Sequence, residues 1–470
     1  MIAIYRFVLY TERKRERAIT MENILFAGYG RACITPTCSV PLAGYGATHK
    51  RMSEVILEDL YATCIAFSHG EEKALLFTQD LIRCNPTWTE EIRGRLFEKT
   101  GVPVEHINIC STHTHAAPDV LSNLPCMEEY KQLYMAALEE AAVAALEDLA
   151  PATIYGARTQ TENMNFVRHY LLENGTYAGP NFGDFKSAPV VGHVSPPDPE
   201  MLIVKLAREE KPSILLVNFQ VHPTTAGGSN NKEVSPDFIG TARNYLEGST
   251  HMHFAYFTGA AGNLVQSSRI DGEHDGLPME KRRRYGDTSP IVYGWRIAQY
   301  VKNALPDLQE MDSSTFRVSR VLFEQPLNHD DEDKLEAAKR VRQLWEETDR
   351  ATAEAYGKPL GISSVYHAGA ICSRVKRAKS ANMELNAVRI GDFAFVTFPY
   401  EAAGAQGSYV KEHSPFPMTM AFSCANQGQS YVPTKEAYEY GCYESYTSIF
   451  AKGTGENAAE KLTEMLEALK

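Results

Sequence analysis

The segment Ser111-Thr112-His113-Thr114-His115 closes a short apolar run and places two histidines two residues apart. At that spacing on a strand, both side chains point to one face. Such a face can serve a single small site, with one imidazole binding a metal ion and the other handling a proton or a substrate oxygen. A His-x-His pair is equally an ordinary polar strand end, so its neighbours along the chain decide its meaning. His222 follows the apolar residues 215–221, Glu401 follows residues 393–400, and Tyr431 opens Tyr431-Val432-Pro433-Thr434 after a strand expected to end near Ser423. Strand ends in α/β proteins converge on ligand clefts. Two histidines, one carboxylate and one further oxygen form a normal shell for a catalytic zinc. No local motif such as His-Glu-x-x-His ties these residues together. His222 also fits a buried histidine satisfied by backbone, and Glu401 fits a cap on the helix after it, where an acid is favoured.

The elements that must carry these residues read as mixed α/β. Strands are expected over 24–30, 60–67, 73–78, 107–110, 202–206, 213–220, 254–257 and 315–323, with a hairpin over 383–398 turning at Gly391-Asp392. Helices are expected over 87–100, 127–149, 236–246, 290–305, 333–355, 402–412 and 458–469. The Gly- and Pro-rich residues 174–199 and the charged residues 271–287 read as long loops. Gly28-Tyr29-Gly30 lacks a third glycine, and Pro36 opposes a helix there, so it is no nucleotide fingerprint.

A chain of 470 residues with 44% apolar composition can bury a large core. Its net charge of −12 argues against nucleic acid as a partner, and the basic clusters at Arg13–Arg17 and Lys281–Arg284 are short and flanked by acids. Nine cysteines, an odd number without zinc-finger spacing, read as reduced thiols in the cytoplasm. Arg6 interrupts the first apolar run, and the basic cluster follows that run. This is the wrong order for an export signal. Residues 1–20 read as an extension outside the fold, upstream of Met21, and no apolar run reaches membrane-spanning length.

Five ordered blocks resemble the catalytic domain of the neutral, non-lysosomal ceramidase family, from about Ala27 to Glu444. They are Ala27-Gly28-Tyr29-Gly30-Arg31 with Thr35-Pro36 and Pro41-Leu42-Ala43-Gly44-Tyr45; the His113-Thr114-His115 block; Phe219-Gln220-Val221-His222-Pro223-Thr224; Thr397-Phe398-Pro399-Tyr400-Glu401; and Tyr431-Val432-Pro433-Thr434-Lys435-Glu436-Ala437-Tyr438 with Tyr443-Glu444. The resemblance implies one catalytic domain over residues 21–470, of α/β class with mixed sheets flanked by helices. It implies one Zn2+ per chain, held by His113, His222, Glu401 and Tyr431. His115, Tyr443 and Arg168 would line the reacting centre, and zinc-bound water would attack an N-acyl amide. Arg168 is carried over on the loosest match, Asn165-Phe166-Val167-Arg168-His169-Tyr170.

The chain departs from the family in three places. Gly262-Asn263-Leu264-Val265-Gln266 stands where ceramidases have Gly-Asp-Val-Ser-Pro, so Val265 takes the serine position, with Ser267 and Ser268 just beyond. Ala116-Ala117-Pro118 replaces Ser-Gly-Pro. No C-terminal immunoglobulin-like domain is expected after the tyrosine block. The expected substrate is a small-molecule N-acyl compound, smaller and more polar than ceramide. A zinc-dependent esterase or deacetylase and a catalytically silent binding protein are the alternatives.

Overall fold

The computed structural model describes residues 24–46, 51–228, 230–270, 277–278, 281–283 and 286–470. The expected extension over residues 1–20, with its basic cluster, and most of the expected loop over 271–287 lie outside the described residues.

The larger sheet begins with β1 (Leu25–Cys33), β2 (Tyr61–His69) and β3 (Glu72–Gln79), the last two forming an antiparallel hairpin. Helix α1 (Pro86–Thr100) follows. The Asn85 side chain accepts from the Trp88 N–H, Pro86 opens the first turn, and Gly101 closes the helix at φ 72°. β4 (Ile107–Ser111) then joins β3 in parallel. Helix α2 (Cys126–Glu147) leads into β5 (Ala150–Gln160), which has no counterpart among the expected strands. Pro151 reads as a helix stop, yet it is tolerated at this strand end because pairing with β1 spans only two residues. β6 (Glu200–Arg208), β7 (Ile214–Phe219) and β8 (His253–Thr258) complete a sheet ordered β8-β7-β6-β5-β1-β2-β3-β4, with Gln309–Met311 also paired to β5.

A second sheet of β9 (Phe316–Pro326), β10 (Ser380–Ile390), β11 (Phe393–Thr397) and β12 (Met418–Phe422) packs face to face on the first. The layer between them holds Phe67, Leu216 and Phe257 from one sheet and Val388, Phe395 and Phe422 from the other, with the Phe257 and Phe422 rings stacked 4.4 Å apart. α1, α2 and the helices Phe238–Thr250 and Pro290–Ala304 cover the outer face of the first sheet. Gly404–His413 and Thr454–Ala468 cover the second. The result is four layers, helix–sheet–sheet–helix, within the expected mixed α/β class.

Two expectations change. The single helix over 333–355 is two, Leu335–Glu347 and Arg350–Gly357, because Asp349 caps a new start by accepting from the Thr352 N–H at 2.8 Å. The loop over 174–199 contains Tyr177–Ala178 and Val190–His193, which pair with Tyr170–Leu172 in a small sheet. No described helix is long and apolar enough to cross a membrane, and none of the nine cysteines forms a disulfide.

Candidate metal centre

The site residues sit just beyond strand ends. His113 and His115 follow β4, His222 follows β7, and Glu401 follows β11. A two-residue parallel pairing of Glu401–Ala402 with Tyr431–Val432 sets Tyr431 beside Glu401. Arg168 follows Phe166–Val167, which pairs with Leu264–Val265, and its N–H donates to the Asn263 carbonyl at 2.9 Å. Tyr443 opens the short helix Tyr443–Thr447.

The histidine pair is positioned differently from the strand expectation. β4 ends at Ser111, and His113 has φ 70°, in the left-handed region. The strain is held by tertiary bonds: His113 N–H donates to the Leu81 carbonyl at 2.9 Å, and its Nδ1–H to the Ile82 carbonyl at 2.6 Å. The left-handed step brings the two rings to 5.0 Å between centroids, edge to face, with Nε2 atoms 3.4 Å apart. Gly44, at φ 106°, permits this packing, since a Cβ there would lie 2.3 Å from His115 Nδ1.

His222 converges from the other side. Its Nδ1–H donates to the Ala261 carbonyl at 2.8 Å, and its Nε2 lies 2.9 Å from His113 Nε2. Glu401 Oε2 is 3.2 Å from His113 Nε2 and 3.5 Å from His222 Nε2. Glu401 does not cap the helix after it, whose cap position is Ala403 without a side-chain bond. Gly262 packs on the Glu401 backbone, where a Cβ would meet the Glu401 carbonyl oxygen at 2.8 Å. Val265 sits in the short strand opposite Phe166, and the Ser268 hydroxyl is bonded to His193 Nε2 at 3.0 Å.

The backbone carbonyls fix the tautomers. Because His113 and His222 each use Nδ1–H as a donor, each points its Nε2 into the same space. These two nitrogens, 2.9 Å apart beside Glu401 Oε2, share a proton when His113 is charged and, with both deprotonated, are placed to hold a cation among them. Two neutral imidazoles and a carboxylate with this outer support fit zinc. The ligating nitrogens of His113, His115 and His222 all lie within 4.8 Å of one another. His115 differs from the other two, since its Nδ1 is buried without a partner.

Charge at the site follows burial and neighbours. Burial raises the Glu401 carboxyl, but His113, His222 and Arg83 outweigh it and hold it at about 2. Burial, with His113 and then Arg168, pushes His115 and His222 well below the usual imidazole value. Burial opposes charge on His113, yet Cys424 and Glu401 push it upward. Burial and the Glu401 charge raise the Tyr431 phenol, against Arg168.

Arg168 lies over Tyr431 and Tyr443, 5.5 and 5.9 Å from their centroids. Its Nε donates to Glu444 Oε1 at 2.6 Å, while His169 Nε2 contacts Glu444 Oε2 at 2.7 Å and His169 Nδ1 contacts the Tyr440 hydroxyl at 2.7 Å. His169, Cys442 and Glu444 also group their ligating atoms within 4.8 Å, but both Glu444 oxygens and both His169 nitrogens are already committed. Glu444 and Arg83 adjoin the candidate site without a role in the sequence reading, which names Glu444 only as part of the tyrosine block. The charge of Arg168 called for a partner acid, and Glu444 stands beside Tyr443. Nothing in the sequence marks Arg83.

No protein-family model matches the chain, and no curated protein sequence matches it. Solved structures do. The neutral ceramidase from Pseudomonas aeruginosa superposes with a TM-score of 0.70 at 17% identity, over 95% of this chain and 74% of that one. A structure of ceramidase complexed with C2 gives 0.67 at 17% identity, over 95% and 75%. The chain has the fold of neutral ceramidase.

Proposed function

We propose that the protein is a zinc-dependent amidohydrolase, cleaving a linear N-acyl amide smaller and more polar than ceramide. The observation that carries this reading is the pair of carbonyl-locked histidines, His113 and His222, facing one another beside Glu401 Oε2. The ceramidase fold supports it. His113 Nε2, His222 Nε2, Glu401 and Tyr431 would hold one zinc ion. A zinc ion there supplies Lewis-acid polarisation of a carbonyl and a water acidified to a pKa of about 7.

The chain's own residues do the rest. His115 turns its Nε2 to the ligand cluster and has no carbonyl fixing a proton at Nδ1, so its Nε2 takes the proton from the attacking water and delivers it to the leaving amine. Burial keeps the Tyr443 phenol protonated, so it donates to the oxyanion as the carbonyl becomes tetrahedral. Arg168 steadies Tyr431 and Tyr443, and Glu444 fixes Arg168. The nine free thiols suit a reducing compartment such as the cytoplasm.

The test is a panel of N-acylsphingosine, short polar N-acyl amides and matched esters, each assayed before and after chelation. Chelator-sensitive cleavage of polar amides ahead of the others is expected. Faster cleavage of the esters would reassign the reaction to an esterase, and no cleavage anywhere would leave a binding protein on this fold.

A further inference from the structure

Ile82 and Arg83 follow one another on the loop between β3 and α1. The Ile82 carbonyl locks His113, and the Arg83 guanidinium reaches to 3.8 Å from Glu401 Oε1, beyond hydrogen-bonding distance. Arg83 makes no hydrogen bond among the described residues, and its side chain keeps 28% exposure against 6% for Glu401.

The other two guanidinium groups near the cluster are tied to the protein. Arg168 is held by Glu444 at 2.6 and 2.5 Å. Arg51 bonds the carbonyls of Asn231, Ala43 and His115 at 2.7, 2.7 and 3.0 Å. Arg83 has no such close partner. Glu401 and Tyr431 line a void of about 10 Å³, with His169, Thr434 and Glu444 among others, large enough for a single water, and it shares Asn263 and Thr434 with a groove of about 740 Å³. On its other edge Glu401 is flanked by Arg83, whose side chain opens to solvent.

We propose that Arg83 is a specificity residue that binds a carboxylate carried by the substrate within a few bonds of the scissile amide. The planar fork matches a carboxylate in a two-bond geometry, and such bonds are strong in a partly dry site. A carboxylate ligand also supplies the hydrogen-bonded partner that Glu401, at 3.8 Å, does not. This inference rests on the amidohydrolase reading above and names the substrate class of the same site: an N-acyl amino acid if the carboxylate lies on the amine half, or the half-amide of a dicarboxylic acid if it lies on the acyl half.

The experiment uses the zinc-loaded protein and three probes: N-hexanoylglycine, its neutral counterpart N-hexanoylglycinamide, and the succinyl half-amide of hexylamine. Binding is read by thermal-shift titration and turnover as kcat/KM. One of the two carboxylates is expected to bind and react at least about tenfold better than the neutral amide, the scale of a charge-assisted hydrogen bond. Whichever it is assigns the half that carries the charge. Arg83→Gln is expected to bring that ratio near one, mostly through KM, and Arg83→Lys to retain part of it. Equal binding of all three probes by the wild-type protein overturns the assignment, and so does a preference that survives Arg83→Gln. A binding preference without cleavage of any amide would remove the hydrolase reading and keep Arg83 as a carboxylate site. Cleavage without preference would do the reverse. Should Arg83→Gln fail to fold, the wild-type ratio and Arg83→Lys still decide.

Discussion

His113 and His222 differ from His115 in what holds the far nitrogen, and that difference separates their proposed roles. A backbone carbonyl fixes each of the first two, while His115 has only packing against Gly44 and Tyr45. His222→Ala is expected to drop bound zinc well below one per chain by elemental analysis; unchanged zinc would remove it from the ligand set. His115→Asn is expected to keep zinc and lose about 10²–10⁴-fold in turnover of the best amide, the usual contribution of a general acid–base. Loss of zinc in that variant would make His115 a ligand instead. Gly44→Ala places a methyl against His115 at a φ that side chains avoid, so turnover should fall with zinc retained.

At the scale of elements, one buried ion-pair network joins the two sheets. Glu384 on β10 takes both arms of Arg93 from α1 at 2.9 and 2.7 Å, and Arg320 from β9 at 2.7 Å. Asn426 donates to the same carboxylate at 3.0 Å and accepts from the Ile109 N–H of β4 at 2.8 Å, so the network braces the strand that delivers His113. Glu384→Ala should cost about 3–5 kcal/mol in denaturant unfolding, because it strands the buried Arg93 and removes the partner of the half-buried Arg320. Burial raises the Glu384 carboxyl, but Arg93 and Arg320 outweigh it, placing it at about 2 against the ordinary 4.5. A carboxyl depressed on folding adds stability above its unfolded pKa and loses it as the pH falls through the folded one. The stability gap between wild type and Glu384→Gln should therefore be full at neutral pH and close between about pH 4.5 and 2; a gap that widened on acidification would contradict the network's role.

These elements also mark where the sequence was legible. Strands β2, β3, β7 and β11 carry apolar runs bounded by turn residues, β10 runs into the Gly391-Asp392 turn, and α1 has its own cap and stop, so local chemistry announces them. β5 was hidden by Pro151, and the break at Asp349 by the charge pattern that runs through it. The positions of His222, Glu401 and Tyr431 after strands were readable. The turn at His113 was not, because its left-handed backbone is fixed by Leu81 and Ile82, some thirty residues away. Arg168 and Glu444 lie 276 residues apart, beyond any local signal.

For the whole molecule, the candidate metal centre joins the ends of β4 and β7 in one sheet to the end of β11 in the other, so a bound ion would clamp both layers. Ligand that binds only the folded state stabilises it, by about 2.7 kcal/mol at a hundredfold excess over Kd. Chelation is expected to lower Tm by a few degrees, and added zinc to restore it. The measurement that tests the central claim most directly is elemental analysis of the purified wild-type protein after zinc is supplied and excess removed, with the His222→Ala protein alongside. One zinc per wild-type chain, and little in the variant, is the expected result. No zinc in the wild-type protein would contradict a metal centre at His113, His222 and Glu401, and with it the hydrolase.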